Sequence, residues 1–349
     1  RRLHKILLWI ATLWAVSGWM FALVCAINGE GMPIFFGFYE IRSDGEKKDI
    51  WEAIGTTVLC LIPAANLYFR PVSFKASFYG GVSECCPLTD RKLVKEMVDT
   101  TRRHTMLALS LPAATLGVGM AMNIVNLVKS DAGYDPALKV LDAILVFGLY
   151  SLANSCVGHT SMSFALRMRY YHLSFKLLKI EVQDKDKEFD PLAIMAKFDS
   201  IQLSLLKTAK TFGPYLGTNT VLCVLSSSLF AGRLPATVEG KDFNPLDLAI
   251  RLFYQAVFIL PLVYNLALAA TVGTSGMKVI RHFLRHPVRN LTPERVEKHS
   301  YVINHFSLKS NVGDVGVRIF GTPLVSSSVS QLLSFWATLL ALTYSMGRR

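Results

Sequence analysis

The sequence predicts an all-α membrane protein with seven transmembrane helices, and three observations lead to that prediction. The chain of 349 residues is 52% hydrophobic and has a mean hydropathy of +0.37, which is too apolar for a soluble chain of this length. Several uncharged runs of about 20 residues are each long enough to cross a bilayer. The runs are continuously apolar rather than alternating, so helices are expected and not strands.

Seven spans follow one another along the chain, with charged segments between them. The spans are expected at 3–27, 50–69, 104–128, 140–166, 212–230, 246–272 and 321–346. The segments 1–5, 70–103, 167–210 and 278–318 together hold 27 of the 37 Lys and Arg residues. Basic residues collect on the cytoplasmic side of membrane proteins, so the N-terminus is expected inside the cell and the C-terminus outside. The net charge of +12 is then explained by topology and anionic lipids, without a nucleic-acid partner.

The segments expected inside the cell also read as helices. Residues 163–180 and 198–210 carry apolar residues at helical spacing with bases between them, which predicts cytoplasmic extensions of spans 4 to 7. Helices lying flat on the membrane surface are the alternative. Pro323 indicates a break, so a separate short helix is expected at 313–320. One domain of residues 1–349 is predicted, with spans 1–6 and cytoplasmic anchor helices in 1–311 and a pre-pore helix and the last span in 312–349.

The last span differs from the others in its hydroxyl content. No charged residue occurs between Arg318 and Arg348. Its first half nevertheless carries a dense set of polar side chains, namely Ser326, Ser327, Ser328, Ser330, Gln331, Ser334 and Thr338. Such side chains suit a helix that packs closely on other helices or one that lines a wet path. Both interpretations are open from these residues alone.

Enzyme chemistry finds no support in the sequence. A glycine-rich phosphate loop and a G-x-S-x-G motif are both absent from the chain. His282 and His286 stand four residues apart, but they flank a basic segment, so a lipid headgroup contact is favoured over a metal. His159 within span 4 is open to a structural or a functional interpretation. No enzymatic activity, cofactor or metal is expected.

Several segments together resemble a known family. RMRYYHLSFKLL follows span 4, FGPYLGTNT opens span 5, and GVRIFGTPLVSSSVSQLLSFWATLLALTY contains the last span. With seven spans and an inner N-terminus, these segments resemble the insect chemoreceptor superfamily, which includes gustatory and odorant receptors. The end of the chain lacks the Gln-Phe of the usual gustatory motif, so the resemblance is to a divergent member. It implies a ligand-gated, non-selective cation channel of four subunits around a pore lined by the last helix.

The resemblance also implies where the pore is narrow. The gate lies near the outer end of the last helix in the family, which points to Ala341, Leu342 and Ser345. Ser334 and Thr338 lie deeper on the same helical stripe at a spacing of four residues. These five residues are the predicted pore-lining set.

A ligand pocket is expected in the outer halves of spans 2 to 6. Small-molecule sites combine an apolar cavity with a few convergent polar groups. The polar and aromatic residues that meet this description are Trp51, Thr57, Asn123, Tyr150, Asn154, Tyr254 and Gln255.

The expected partners are an unidentified small-molecule ligand, membrane lipids and further copies of the chain in a homotetramer, with a heteromer of related subunits as the alternative. The expected location is the plasma membrane, crossed several times. Two other functions are compatible with the sequence: a sensor of the same fold gated by light or temperature, and a monomeric transporter or metabotropic receptor.

Overall fold

The computed structural model describes residues 136–183, 190–239, 245–285, 293–312, 315–319 and 322–348, together with the helical residues Lys95, Asp99 and Arg103. In the first of these ranges the side chains are described from Thr160 onward. Predicted spans 1 to 3 lie outside the described residues, apart from those three positions. Within the described part, the elements in chain order are α1 (Pro136–Gln183), α2 (Pro191–Glu239), α3 (Pro245–Arg285), α4 (Pro293–Val312), β1 (Arg318–Ile319), β2 (Thr322–Pro323) and α5 (Ser326–Gly347).

Four of these helices begin at a proline, which suits the first helical position because its missing N–H needs no partner there. The residues before these prolines are Asp135, Asp190, Asn244 and Thr292, all of types that favour helix capping. At α2 the cap is visible, since Oδ1 of Asp190 accepts a hydrogen bond from the backbone N–H of Leu192 at 3.1 Å. Local sequence therefore fixes where the long helices begin.

The long helices extend well beyond a membrane span. α1 and α2 contain 48 and 49 residues, or about 70 Å each, compared with about 30 Å of hydrocarbon. The helical continuations predicted at 163–180 and 198–210 are confirmed as helix. Two described stretches are long and apolar enough to cross a membrane, Phe258–Arg285 and Ser326–Gly347.

Aromatic side chains form the core that joins α1 to α4. Phe198 of α2 lies 5.4 Å from Phe175 of α1 and 5.1 Å from Phe306 of α4, measured between ring centroids. Phe306 in turn lies 5.1 Å from Phe283 of α3. All four rings are fully buried. Tilted and edge-on ring pairs of this kind contribute beyond the burial of their area, so a tightly packed aromatic core lies outside the predicted spans.

A short antiparallel hairpin connects this core to the last helix. β1 pairs with β2 through Arg318 opposite Pro323 and Ile319 opposite Thr322. The separate pre-pore helix predicted at 313–320 is therefore wrong for the part that the structure describes, 315–319, which is a bend and a strand. The extended form is favoured because the alternate apolar residues Val315, Val317 and Ile319 are all buried, while Arg318 is exposed. Gly316 has a φ of +128°, which a helix does not contain.

The hairpin rests on a glycine of α3. A Cβ atom at Gly273 would lie 3.0 Å from the carbonyl oxygen of Leu324 and 3.3 Å from that of Val315. A side chain there would push the hairpin away from the helix. The start of α5 is thus positioned by close backbone contact with α3.

Candidate functional site

The last helix, α5, contacts the rest of the chain through one face. Val329 and Trp336 are buried on that face, and Leu332, Leu340 and Thr343 are half-buried. These positions recur at intervals of three, four and seven residues, which places them on one stripe. Only 11% of an apolar stretch of 18 residues in α5 is buried, compared with 44% of the corresponding stretch in α3. Most of α5 therefore faces away from its own chain.

A buried hydrogen bond anchors α5 to α2. The indole Nε1–H of Trp336 donates to Oγ of Ser227 at 2.7 Å. The Ser227 hydroxyl donates in turn to the carbonyl oxygen of Cys223 at 2.7 Å, so its hydrogen is already used within α2. Further along, a Cβ atom at Gly232 would lie 3.4 Å from the carbonyl oxygen of Thr343, so α2 and α5 approach closely. Close approach at small residues is typical of helices that pack within membranes.

The opposite face of α5 carries small and polar side chains, which we call the polar stripe: Ser327, Gln331, Ser334, Thr338, Ala341 and Ser345. At about 100° per residue these six positions lie opposite Trp336 on the helix. All six are exposed in the single chain. The hydroxyl of Thr338 donates to the carbonyl oxygen of Ser334 at 2.9 Å, which leaves the hydroxyl oxygen facing outward as an acceptor.

Exposed apolar side chains flank the polar stripe on both sides. Phe335, Leu342 and Met346 lie on one flank, and Leu333 and Tyr344 lie on the other. The five predicted pore-lining residues are thus all exposed, but they are not equivalent. Ser334, Thr338, Ala341 and Ser345 belong to the polar stripe, whereas Leu342, 57% exposed, lies beside it.

One of the predicted ligand-site residues makes a defined contact in the described region. Gln255 is buried, and its Nε2 donates to Oγ of Ser226 at 2.8 Å. Ser226 is the chain neighbour of Ser227, so Gln255 of α3 lies one residue away from the Trp336 anchor. Tyr150, Asn154 and Tyr254 lie on the described backbone of α1 and α3. The other three predicted positions, Trp51, Thr57 and Asn123, lie outside the described residues.

The structure reveals contacts that the sequence prediction missed. The buried pair Ser226 and Ser227 belongs to a run of three serines in an apolar stretch of α2, and that run is the signal that indicates a helix contact. A second missed group holds α4 on α2: Asp199 accepts from Lys309 and from Nε2 of His305, the latter at 3.1 Å. Within the described ranges, no group of three His, Cys, Asp or Glu side chains is arranged to hold a metal ion.

No family model and no curated protein matches the chain. Comparison with solved structures assigns it the fold of an insect olfactory receptor. The structure of the insect olfactory receptor OR5 from Machilis hrabei matches with a TM-score of 0.71 and 12% identity over 98% of this chain and 88% of the receptor. The same receptor in complex with eugenol matches with a TM-score of 0.68 and 13% identity over 99% and 89%. The predicted resemblance is confirmed at the level of the fold, and the matched structures are receptors rather than enzymes.

Proposed function

We propose that the chain is a gustatory-receptor-like, ligand-gated, non-selective cation channel of the plasma membrane. Four copies surround one central pore, and α5 of each copy lines it. The observation that carries this proposal is the orientation of α5, whose polar stripe lies opposite the buried Trp336 anchor. Because α5 packs on its own subunit through one face, its other face is directed at the surroundings of that subunit.

The composition of the polar stripe favours an aqueous path over lipid. Its apolar flanks suit contacts with neighbouring copies of α5, while Gln331, Ser334 and Thr338 supply oxygen atoms that replace water around a cation. Among the residues of α5 there is no acid. Cation preference therefore comes from hydroxyl and carbonyl oxygens, or from acids near the outer ends such as Glu239.

Exposed apolar side chains on α4 and α2 support assembly through the inner ends of the helices. Tyr301 and Leu308 stand seven residues apart on α4 and are 61% and 67% exposed. Leu203 of α2 is 56% exposed. These residues lie outside the predicted spans, where water would face them in an isolated subunit. Contact with a second copy removes that apolar surface from water.

The orientation of the chain follows from the charge count. With 27 of 37 basic residues on alternate segments, the seven spans begin inside the cell and end outside. The polar stripe then runs from the inner start of α5 to its outer end, so Ala341 and Ser345 lie near the outer mouth.

A small molecule opens the channel from a pocket near Gln255. That residue contacts Ser226, and the adjacent Ser227 holds Trp336 of α5. A ligand that moves α3 against α2 at this depth acts directly on the last helix. Because OR5 from Machilis hrabei has been solved in complex with eugenol, eugenol is the first probe to apply.

Whole-cell recording during application of eugenol and a panel of small volatile and soluble compounds tests the proposal. We expect a ligand-evoked current carried by both sodium and potassium. Native mass spectrometry should show four copies. Absence of current under every compound, with surface expression confirmed, or a stable monomer would contradict it.

A matched pair of variants tests the role of α5 in single-channel recordings with the same ligand. Thr338→Phe places a ring on the polar stripe, and four such rings narrow the pore, so unitary conductance should fall severalfold. Ala337→Phe adds the same ring one residue away, on the flank, and should leave conductance close to that of the wild type. Equal effects of the two variants would contradict the orientation.

A further inference from the structure

Basic residues line the contact between α1 and α3. The two helices run parallel, because Ser161 contacts Asn265 and His172 contacts Ser275 at 2.8 Å each, with offsets of 104 and 103 residues. The same offset of 103 puts Lys179 and His282 at matching positions of the two helices. At 3.6 residues per turn, the basic positions share the faces that meet. We call this feature the basic groove; it consists of Arg169, His172, Lys176, Lys179, Lys278 and His282.

The side chains of the basic groove differ in depth. Lys176 and Lys278 are exposed at the rim, while Arg169 and His172 are half-buried. Nη2 of Arg169 donates to the hydroxyl of Tyr264 at 3.0 Å, and Nδ1 of His172 lies 2.8 Å from Oγ of Ser275. Fixed donors at the base and flexible ammonium groups at the rim form a multipoint arrangement for phosphate oxygens.

The field within the basic groove is positive. Burial lowers the pKa of His172 from its ordinary value of 6.5, and the charges of Lys176, Arg169 and Lys278 lower it further. Residues 160–180 of α1 and 248–285 of α3 contain no Asp or Glu. The carboxylate that follows on α1, Glu181, is directed to Lys197 of α2 at 2.6 Å. A groove of one charge sign concentrates ligands of the opposite sign.

The basic groove begins where two predicted spans end, near residues 166 and 272. In the orientation given by the charge count, this is the depth of the inner headgroups. We propose that the basic groove is a binding site for a phosphate-rich anionic headgroup, as carried by phosphoinositide lipids of the inner leaflet. Basic pockets between helices on this side of a membrane are suited to such headgroups. The inference does not require the channel function and rests on residues outside the polar stripe.

Binding can be measured on the full chain in detergent by native mass spectrometry. The probes are short-chain phosphatidylinositol bisphosphate, phosphatidylserine and phosphatidylcholine, and soluble inositol trisphosphate. The double variant Lys176→Gln with Lys278→Gln should weaken binding of the bisphosphate lipid about thirtyfold, since each basic residue near a lipid surface contributes about 1 kcal/mol. The matched control, Lys207→Gln with Lys210→Gln, removes two exposed lysines from α2 and should leave affinity within a factor of two.

The probes also separate the two sources of phosphate. Tight binding of the bisphosphate lipid with weak binding of inositol trisphosphate supports a lipid site, whereas equal binding of both supports phosphate recognition with a soluble ligand. Equal loss in the two double variants would show that only net charge matters and would overturn the proposal. Binding of phosphatidylcholine as tight as that of the bisphosphate lipid would overturn it as well. Unchanged elution volume of both variants on size exclusion shows that they remain folded.

Discussion

The hydrogen bond between Trp336 and Ser227 should be measurable as a coupling energy between α5 and α2. The donor and acceptor atoms are 2.7 Å apart, and both residues are buried. The perturbation is a double-mutant cycle with Trp336→Phe and Ser227→Ala. Phenylalanine keeps an aromatic ring but has no N–H to donate, and alanine removes the accepting hydroxyl.

The two single variants act on the bond differently. Trp336→Phe leaves the Ser227 hydroxyl donating to Cys223, so the cost is one lost contact and some packing, about 1–2 kcal/mol. Ser227→Ala leaves a buried indole N–H without its acceptor, which costs about 1–3 kcal/mol. In the double variant the second substitution removes no further hydrogen bond, because the first has already broken the bond between Trp336 and Ser227. The coupling energy should therefore be about 1 kcal/mol, between the average of about 0.6 and the maximum of about 1.7 kcal/mol measured for hydrogen bonds between membrane helices.

The assay is unfolding in mixed detergent micelles, followed by the apparent free energy of unfolding of all four proteins. Phe335→Leu serves as the control for Trp336→Phe, because Phe335 is an immediate neighbour but is 62% exposed. Its effect should add to that of Ser227→Ala without coupling. A coupling energy near zero for the Trp336 cycle would refute the anchor and, with it, the assigned orientation of α5.

Three further predictions concern stability. Gly273→Ala should lower the apparent melting temperature by several degrees, because its Cβ would press on the carbonyl of Leu324. Gly213→Ala, where the new Cβ would lie 3.6 Å from its nearest atom, should leave the melting temperature unchanged or raise it. A larger fall in Gly213→Ala than in Gly273→Ala would contradict the close contact between Gly273 and the hairpin. The pKa of His172 is lowered in the folded chain, so stability should be complete above pH 6.5 and fall as pH drops below it. When the melting temperature is measured against pH, its fall below pH 6.5 should be smaller in His172→Gln than in the wild type. A fall of the same size in both proteins would contradict this prediction. Asp199→Asn should lower the apparent free energy of unfolding by about 1 kcal/mol, because Asp199 holds α4 on α2. Glu181→Gln, in an exposed ion pair, should change that free energy little. Equal effects would show that the Asp199 contacts stabilise the fold no more than an exposed ion pair does.

Much of the helical architecture follows from the sequence because long apolar runs and capping residues act locally. The starts of α2, α3 and α4 coincide with Asp-Pro, Asn-Pro and Thr-Pro pairs, whose geometry needs no tertiary context. The hairpin escaped prediction although its alternating Val315, Val317 and Ile319 carry the signal of a strand. Three alternating residues are too few to distinguish a strand from other structures by sequence alone, and packing on α3 selects the extended form.

The orientation of α5 could not be derived from its sequence. Polar residues such as Ser326 and Ser330 occur beside the polar stripe as well as on it, so the hydroxyl pattern alone identifies no single face. The partner of Trp336 is Ser227, 109 residues earlier in the chain, and only the fold brings them together. The same limit applies to Leu342, a predicted pore-lining residue whose place beside the polar stripe is visible only once the buried face of α5 is known.

Cysteine accessibility along α5 tests the central claim most directly. Single cysteines at Ser334, Thr338 and Ser345 are compared with cysteines at Leu333 and Phe335, using a charged thiol reagent that travels through water. The account predicts that the reagent reduces the ligand-evoked current only in the first group, and that wild-type current is unaffected. Loss of current in the second group with none in the first would contradict the account, because the pore would then follow the apolar flank.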